Sequence, residues 1–479
     1  ITQAEYDSAF AFDLTTNLQP RGWEAEEQVQ KNLKYKHYTD GVIDELEEMG
    51  YDLSEISLTV KTFLDPSVYD SVTALVQDPK YYLDDDQQVG VAVVDTNGIV
   101  VALVGSSHAG DEYNRALSAN RSSGSSMKPF TAYGPLFQYF GDQYTTATTI
   151  STANYTYPGT NSVMHNYGGG IYGDQMIQKC LRYSYNTPVA RIDNEILGSV
   201  RMKTFLAGVG LDVQDTYSAV DGIGLNVSPL QSAAAYNALN NLGTYTKPRF
   251  VDTITFSDGS VKMVEAQTTQ AMNASVAYVL NQILRGVPGG DGTAASAAIK
   301  GYTGYAGKTG SVAFDKAVNP PAPYGDGSSD LWYCSYTNGG YAISVWTGYD
   351  SPNDSPQVPD YFKGQQTINR DLQLLLNGDQ EVPDWEMPEG VKKLSGNGLS
   401  AQYQVTDSKD LDETGISWAD VSGYGEAQID KVKPDNTVSE DWEDYEFSPW
   451  YGYYKEHGTE VPPVIDRDLY SDMKGGGTG

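Results

Sequence analysis

Two runs of β-branched and other apolar residues flank Asn97-Gly98 in the stretch "QVGVAVVDTNGIVVALVGS", Gln88 to Ser106. Asn-Gly tolerates the positive φ angles of a two-residue turn, so this pattern predicts a β-hairpin. "DLWYCSYTNGGYAISVWTGYD", Asp330 to Asp350, repeats the arrangement around Asn338-Gly339-Gly340 and predicts two more strands. Between these strand pairs the period changes. From Phe130 to Val200, and again in "SPLQSAAAYNALNNLG" and "NASVAYVLNQILRGV", apolar residues recur three and four positions apart, the spacing of one helical face. Sheet, then helices, then sheet predicts an α+β fold. Strands from both ends of the region join one antiparallel sheet, with helices packed against it or inserted beside it.

The same pattern divides the chain. Residues 1–86 are acidic and helical in character, with "AEYDSAF" and with "HYTDGVIDELEEMG" ending at Gly50, and read as a linker or pedestal. Residues 87–378 hold the sheet and the main helices. Residues 379–479 shift to Glu, Asp, Tyr and Trp with scattered glycine, an acidic, tyrosine-rich extension that periodicity assigns neither to a small domain nor to a tail. A chain of 479 residues that begins with Ile1 is expected to be a fragment of something longer, with any membrane anchor upstream.

Composition removes some function classes. A net charge of −32 repels phosphate backbones and anionic membrane surfaces, so nucleic acid is not an expected partner. Hydrophobic residues at 39% are ordinary for a globular protein, and no run of 18 apolar residues is present to span a membrane. Cys180 and Cys334 lack the paired spacing of a zinc or redox motif and read as small buried apolar residues, their disulfide status open. No metal and no cofactor enter the reading.

The candidate chemistry begins in "RSSGSSMKPF". Of its four serines only Ser125 stands three positions before Lys128, and on a helix such residues are surface neighbours, about 5–6 Å apart at Cβ. A serine hydroxyl is a poor nucleophile until a base takes its proton, and lysine serves as that base only when desolvation or a neighbouring cation lowers its pKa. Gly124 lets a substrate approach, and Pro129 fits the first turn of a helix running on through "KPFTAYGPLFQYF". Free backbone N–H groups at that helix start can stabilise an oxyanion.

Spacing alone is weak. A Ser-x-x-Lys match arises by chance about once or twice in a chain this long, and Ser471-Asp472-Met473-Lys474 is one with no apolar helix behind it. Two further motifs separate the candidates. Ser184-Tyr185-Asn186 follows a helical run and offers a hydroxyl to relay protons and an amide to grip a peptide bond, although Ser-x-Asn recurs at Ser118, Ser351 and Ser395. Lys308-Thr309-Gly310-Ser311 occurs once. On a strand edge its ammonium and hydroxyls can bind the carboxylate of an extended substrate, with Gly310 permitting close approach. Ser125, Ser184 and Lys308 follow in that order, 59 and then 124 residues apart.

Motifs of this kind in this order resemble the transpeptidase domain of class A, bifunctional penicillin-binding proteins. The resemblance covers most of the chain. "TVKTFLDPSVYDSVTALV", "NRAL" followed by "GSSMKPF", "IGLNVSPLQSAAAYNALNNLGTYTKPRFV", "GGDGTA" and "DWEMPEGV" each resemble segments of that family. "ITQAEYDSAF" resembles the last helix of its preceding glycosyltransferase domain. Ser123 stands where the family usually has proline and Ser311 where threonine is commoner, and neither change removes a catalytic group. The fold implied is that of penicillin-binding proteins and serine β-lactamases, an antiparallel sheet with helices on both faces plus a helical subdomain.

Residue by residue, the resemblance implies Ser125 as acylated nucleophile, Lys128 as its base and Ser184 as proton relay. It implies Asn186 as ligand for a substrate amide and Lys308 as the source of positive potential. Thr309 and Ser311, with Gly310 between them, would bind the substrate carboxylate, and the backbone N–H groups of Ser125 and Ser311 would form the oxyanion hole. The implied activity is D,D-transpeptidation of peptidoglycan stem peptides ending in D-Ala-D-Ala, with an amine acceptor, and β-lactams acylate the same serine. A D,D-carboxypeptidase would use these residues with water, and a β-lactam sensor would acylate without turning over. A β-lactamase is disfavoured, since no Glu-x-x-x-Asn run lies between the second and third motifs. The implied location is the extracytoplasmic face of a bacterial cell membrane, reached through an anchor outside this chain.

Overall fold

Helix α1 (Lys36–Glu48), strand β1 (Leu58–Thr62) and helix α2 (Pro66–Val76) come first in the computed structural model, which describes residues 34–211, 221–313, 327–351, 358–359 and 361–411. Asp65 caps α2 by accepting from the N–H groups of Ser67 and Val68, and Pro66 fills the first turn, where a missing N–H costs little. The pattern around Asn97-Gly98 forms the predicted hairpin, β2 (Gln88–Val94) and β3 (Val100–Val104). Asp95 ties its turn by accepting from the N–H groups of Asn97 and Ile99, while Gly98 takes a φ of +75° that most residues resist.

The helical middle holds α3 (Gly134–Phe140), α4 (Ile177–Arg182), α5 (Thr187–Arg191), α6 (Pro229–Asn240) and, after strand β4 (Val251–Phe256), α7 (Ala274–Leu284). Strands β5 (Tyr305–Ala313), β6 (Ser328–Thr337) and β7 (Ala342–Gly348) follow, then helix α8 (Gly364–Asn377) and a hairpin over Val391–Ser395 and Gln402–Val405.

The central sheet runs β5-β6-β7-β2-β3, with every neighbouring pair antiparallel. Strands from both ends of the region meet where β7 pairs with β2, Ser344 opposite Ala92, as the sheet–helix–sheet pattern predicts. Every residue of β2, β6 and β7 is buried, so their side chains alternate between two cores rather than between core and water. Ala342 and Trp346 enter one core with Phe130, Tyr236 and Leu280. Ile343 and Val345 enter the other with Val42 of α1, Val72 of α2 and Leu372 of α8. Helices thus cover both faces of an α+β fold, and burial on both faces explains why these strands read as nearly continuous apolar runs.

The flanking residues share these cores. Strand β1 pairs with β4, and after α8 the buried indole of Trp385 donates to the Asn240 carbonyl at 3.0 Å while Tyr403 and Val405 pack among the helices. Both cysteines are buried and unpaired. Among the described residues no helix is long and apolar enough to cross a membrane. "ITQAEYDSAF", the second Ser-x-x-Lys at Ser471 and the extension beyond residue 411 lie outside the described residues.

The segment after Ser125 departs from the single helix its pattern suggests. Gly124–Met127 form a tight 3-10 turn, Pro129–Tyr133 a wider π-helical turn, and only from Gly134 is the helix regular. Proline is the cause. Pro135 has no N–H to give the Thr131 carbonyl one turn back and its ring crowds that carbonyl, so Gly134 donates to Pro129, five residues earlier.

This turn is held between strands. Trp332 of β6 donates its indole N–H to the Ser122 carbonyl at 2.9 Å. Arg121 bonds Asp330 at 2.7 Å, through the same carboxylate oxygen that accepts from the Trp346 indole at 2.9 Å. On its other side the turn lies against the backbone of β5. A Cβ on Gly124, whose φ is +50°, would fall 2.5 Å from the Ser311 carbonyl oxygen, and one on Gly310 would fall well inside contact distance of the Ser123 carbonyl oxygen. Gly310→Ala is therefore expected to force turn and strand apart and to cost about 1–3 kcal/mol. Thermal melting should show the loss as a drop of several degrees, at roughly 2–4 °C per kcal/mol for a domain of this size; an unchanged melting point would contradict the close approach.

Candidate active site

Ser125 is the one residue of the run Ser123–Lys128 that is not buried. Hydrogen bonds fix its neighbours. Ser126 Oγ donates to the Ser123 carbonyl at 2.9 Å, Tyr236 donates its hydroxyl to the Ser126 carbonyl, and Thr131 Oγ1 donates to the Gly222 carbonyl at 2.6 Å. The turn cannot easily rotate, so the Ser125 side chain is presented to the cleft from a rigid base.

Lys128 is fully buried beneath it. Its Nζ donates to the Ser184 carbonyl at 2.8 Å, the Tyr185 carbonyl at 3.1 Å and Asn186 Oδ1 at 2.6 Å, with Ser184 Oγ at 3.4 Å. Lys308, also fully buried, reaches Ser184 Oγ at 2.7 Å from the other side. The Ser184 hydroxyl therefore stands between two lysines. It gets there through a strained turn, since Ser184 has a φ of +63°, a left-handed conformation that costs a non-glycine residue about 1–2 kcal/mol. The strain is held by the end of α4, where the Tyr185 N–H bonds the Cys180 carbonyl at 3.0 Å, and by Asn166, whose Oδ1 accepts from the N–H groups of Asn186 and Thr187.

Burial dominates the electrostatics. Desolvation, and secondarily the Lys308 charge, hold the Lys128 amine well below the ordinary lysine range. Burial alone brings Lys308 down to about 7. Three acceptors around Lys128 suit an ammonium, but a free amine has only two N–H bonds, so deprotonation frees one contact and exposes a lone pair. Asp193, in the turn after α5, does not restore the charge. It is buried, neither carboxyl oxygen has a hydrogen-bond partner, and desolvation pushes it well above the usual carboxylate range.

Strand β5 closes the site. It is an edge strand, with no strand beyond it among the described residues. Alternation puts Lys308 and Gly310 on one face and Thr309 and Ser311 on the other, with Gly310 abutting the Ser123–Ser126 backbone. Thr309 is half-buried and shares a 2.8 Å hydroxyl contact with Thr293, while Ser311 is exposed. Asn186 uses both ends of its amide within the fold, Oδ1 on Lys128 and Nδ2 on the His165 carbonyl at 3.1 Å. Asn166 and Asp193 lie in no motif, and nothing in their local sequence distinguishes them, whereas Thr293 lies in the "GGDGTA" segment without being marked there as a site residue.

Comparison with known proteins gives matches in family, sequence and fold. The family described as the penicillin-binding protein transpeptidase domain matches residues 71–355. The chain is 31% identical over 414 residues to penicillin-binding protein 1A of Streptococcus pneumoniae, covering 82% of this chain and 56% of that protein. It is 32% identical over 410 residues to penicillin-binding protein 1A of Streptococcus oralis, covering 81% and 62%. The chain thus spans little more than half the length of these relatives. Among solved structures, penicillin-binding protein PonA1 from Mycobacterium tuberculosis superposes with a TM-score of 0.59 at 18% identity, covering 76% of this chain and 96% of that one. The PonA1 complex with penicillin V gives 0.58 at 19% identity, covering 76% and 97%. At such identities the likeness is one of fold.

The lowered Lys308 value has a consequence for stability. Below about pH 7 both folded and unfolded chains hold its proton, and the folded chain bears the full cost of a buried ammonium. Between about 7 and the ordinary 10.5 the folded chain has shed a proton that the unfolded chain keeps, so stability from this group rises with pH. Lys308→Met removes a cost on the order of a few kcal/mol. It is expected to melt above the parent protein at pH 6, with the margin shrinking by pH 9; a margin that does not change with pH would mean Lys308 is not desolvated.

Proposed function

The chain belongs to the penicillin-binding protein transpeptidase family, and we propose that it is a serine-type D,D-transpeptidase that cross-links peptidoglycan. The observation that carries this reading is the Ser184 hydroxyl lying between buried Lys128 and buried Lys308, beside the open Ser125 and the free edge of β5. Lys128, as free amine, takes the Ser125 proton, and Ser125 Oγ attacks the carbonyl of the penultimate D-Ala. The oxyanion is met by the backbone N–H groups of Ser125 and Ser311, residues of the two segments that meet at Gly124 and Gly310. The C–N bond breaks, and the proton held by Lys128 passes through Ser184 to the departing D-Ala amine. An amine from a neighbouring stem then attacks the ester, its proton returns through the same relay, and Ser125 is regenerated.

The donor peptide lies along the free edge of β5 as an added strand. Its terminal carboxylate meets Thr309, Ser311 and the Lys308 charge, with Asn186 giving the second hydrogen of its Nδ2, the first being held by the His165 carbonyl, to a substrate amide on the opposite wall. A β-lactam presents the same carboxylate and a strained amide, so its ring opens onto Ser125 and blocks the acceptor. The setting is the outer face of a bacterial cell membrane, with stem peptides and β-lactams as partners.

Two experiments test this. Ser125→Ala should abolish labelling by fluorescent penicillin while Ser471→Ala leaves it intact, and the parent protein should exchange the terminal D-Ala of a donor peptide for an added D-amino acid. Hydrolysis without exchange would make it a carboxypeptidase, and labelling without either product a sensor. Replacing Thr309 by valine and Ser311 by alanine together should slow acylation by a penicillin far more than by its ester. Each hydrogen bond to a charged group contributes about 1.5–3 kcal/mol, so the difference should fall on the order of tenfold to several thousandfold, allowing for non-additivity. Equal losses for acid and ester would place carboxylate recognition elsewhere.

A further inference from the structure

Tyr185 is the middle residue of the second motif, and its ring is not part of the chemistry described above. It is half-buried and stacked on both sides. The Tyr172 ring lies 4.7 Å away at an interplanar angle of 16°, and the Tyr183 ring 6.1 Å away at 30°. Tyr183 is steadied by its hydroxyl, which donates to Asp291 at 2.5 Å. Backbone atoms of the same residues hold the catalytic groups, since the Tyr185 carbonyl accepts from Lys128 and Ser184 and Asn186 flank it. The stack therefore forms a wall continuous with the site. It runs outward into large apolar side chains that water covers, Tyr172 at 49% exposure, Ile171 at 58% and Tyr167 at 70%. Large apolar side chains clustered in the open mark a binding surface more often than scattered ones do.

We propose that the Tyr172–Tyr185–Tyr183 stack is a specificity subsite that receives a flat apolar group of the ligand reacting at Ser125. Tyrosine rings pack such groups through their faces at little conformational cost and keep their hydroxyls in water. The ring faces themselves carry no charge, and the Asp291 carboxylate lies at the outer edge of the stack on the Tyr183 hydroxyl, so a charged group laid on the rings would lose hydration there. The apolar group can arrive on the acyl donor or on the incoming amine. Both half-reactions take place at the same serine, so the chemistry recognised is the same in each.

The proposal rests on Ser125 being the acylated residue, and the test separates the two. The donor arm compares second-order acylation by benzylpenicillin, which carries a phenyl side chain, with that by 6-aminopenicillanic acid, which has the same ring system and none. The acceptor arm compares D-phenylalanine with glycine as amine in exchange from a thioester donor. Tyr172→Ala and Tyr185→Ala are expected to reduce the aryl preference in at least one arm by about two- to tenfold, the size of an aromatic contact. A purely structural role for the stack would lower both members of a pair together and leave the ratio fixed. Unchanged ratios in both arms and both variants would overturn the subsite even though Ser125→Ala abolishes labelling. Labelling that survives Ser125→Ala would overturn the mechanism beneath it.

Discussion

The architecture depends on one close approach, backbone against backbone, between the turn that carries Ser125 and the edge strand β5. Gly124 and Gly310 make it possible from opposite sides, each lying where a Cβ would collide with the other segment. With no side chain between them, van der Waals contact sets the separation, and little rotamer freedom is left to blur it. The surrounding hydrogen bonds serve the same end. The Trp332 indole holds Ser122, Tyr236 holds Ser126 and Thr131 holds Gly222, so the turn is tied to sheet, helix and loop at once. Rigid contacts of this kind are what precise positioning of reacting groups requires in general.

A second constraint is electrostatic. Lys128 and Lys308 are both taken out of water and both face the Ser184 hydroxyl, an arrangement that costs stability as long as either is charged. The same burial lowers the pKa of both amines. Asp193 would undo this as a carboxylate, and burial without a hydrogen-bond donor pushes its pKa well above the usual carboxylate range. The whole protein carries a net charge of −32, a field that opposes an anionic ligand at long range. Screening removes most of that field beyond about 8–10 Å, so it leaves the local environment of the cleft to the groups that line it.

Much of this was legible in the sequence where the deciding interactions are local. The hairpin at Asn97-Gly98 and the strand pair around Gly339 follow from turn residues whose backbone angles few others adopt, and both occur as expected. The order of the three motifs singled out Ser125, Lys128, Ser184 and Lys308, and the side chains of Lys128, Ser184 and Lys308 meet beside the turn that carries Ser125. The shape of the nucleophile segment was less legible. Apolar spacing suggested one helix, whereas Pro129 and Pro135 break it into a 3-10 turn and a π-helical turn, because proline acts through a carbonyl four residues away that a periodicity count ignores.

What the sequence determined by itself, then, was the family of chemistry and the order of the elements, since residue type, turn preference and motif order are properties of short stretches. Tertiary structure alone decided the environment that turns those residues into a site. The neutral tendency of Lys128 comes from burial and from a lysine 180 positions away, and the left-handed Ser184 is held by Asn166 and the end of α4. Thr293 reaches Thr309, and Tyr172, from a loop that precedes the second motif, stacks on its Tyr185. Desolvation and contact depend on which segments pack together, and packing is a sum over the whole chain that no local stretch contains.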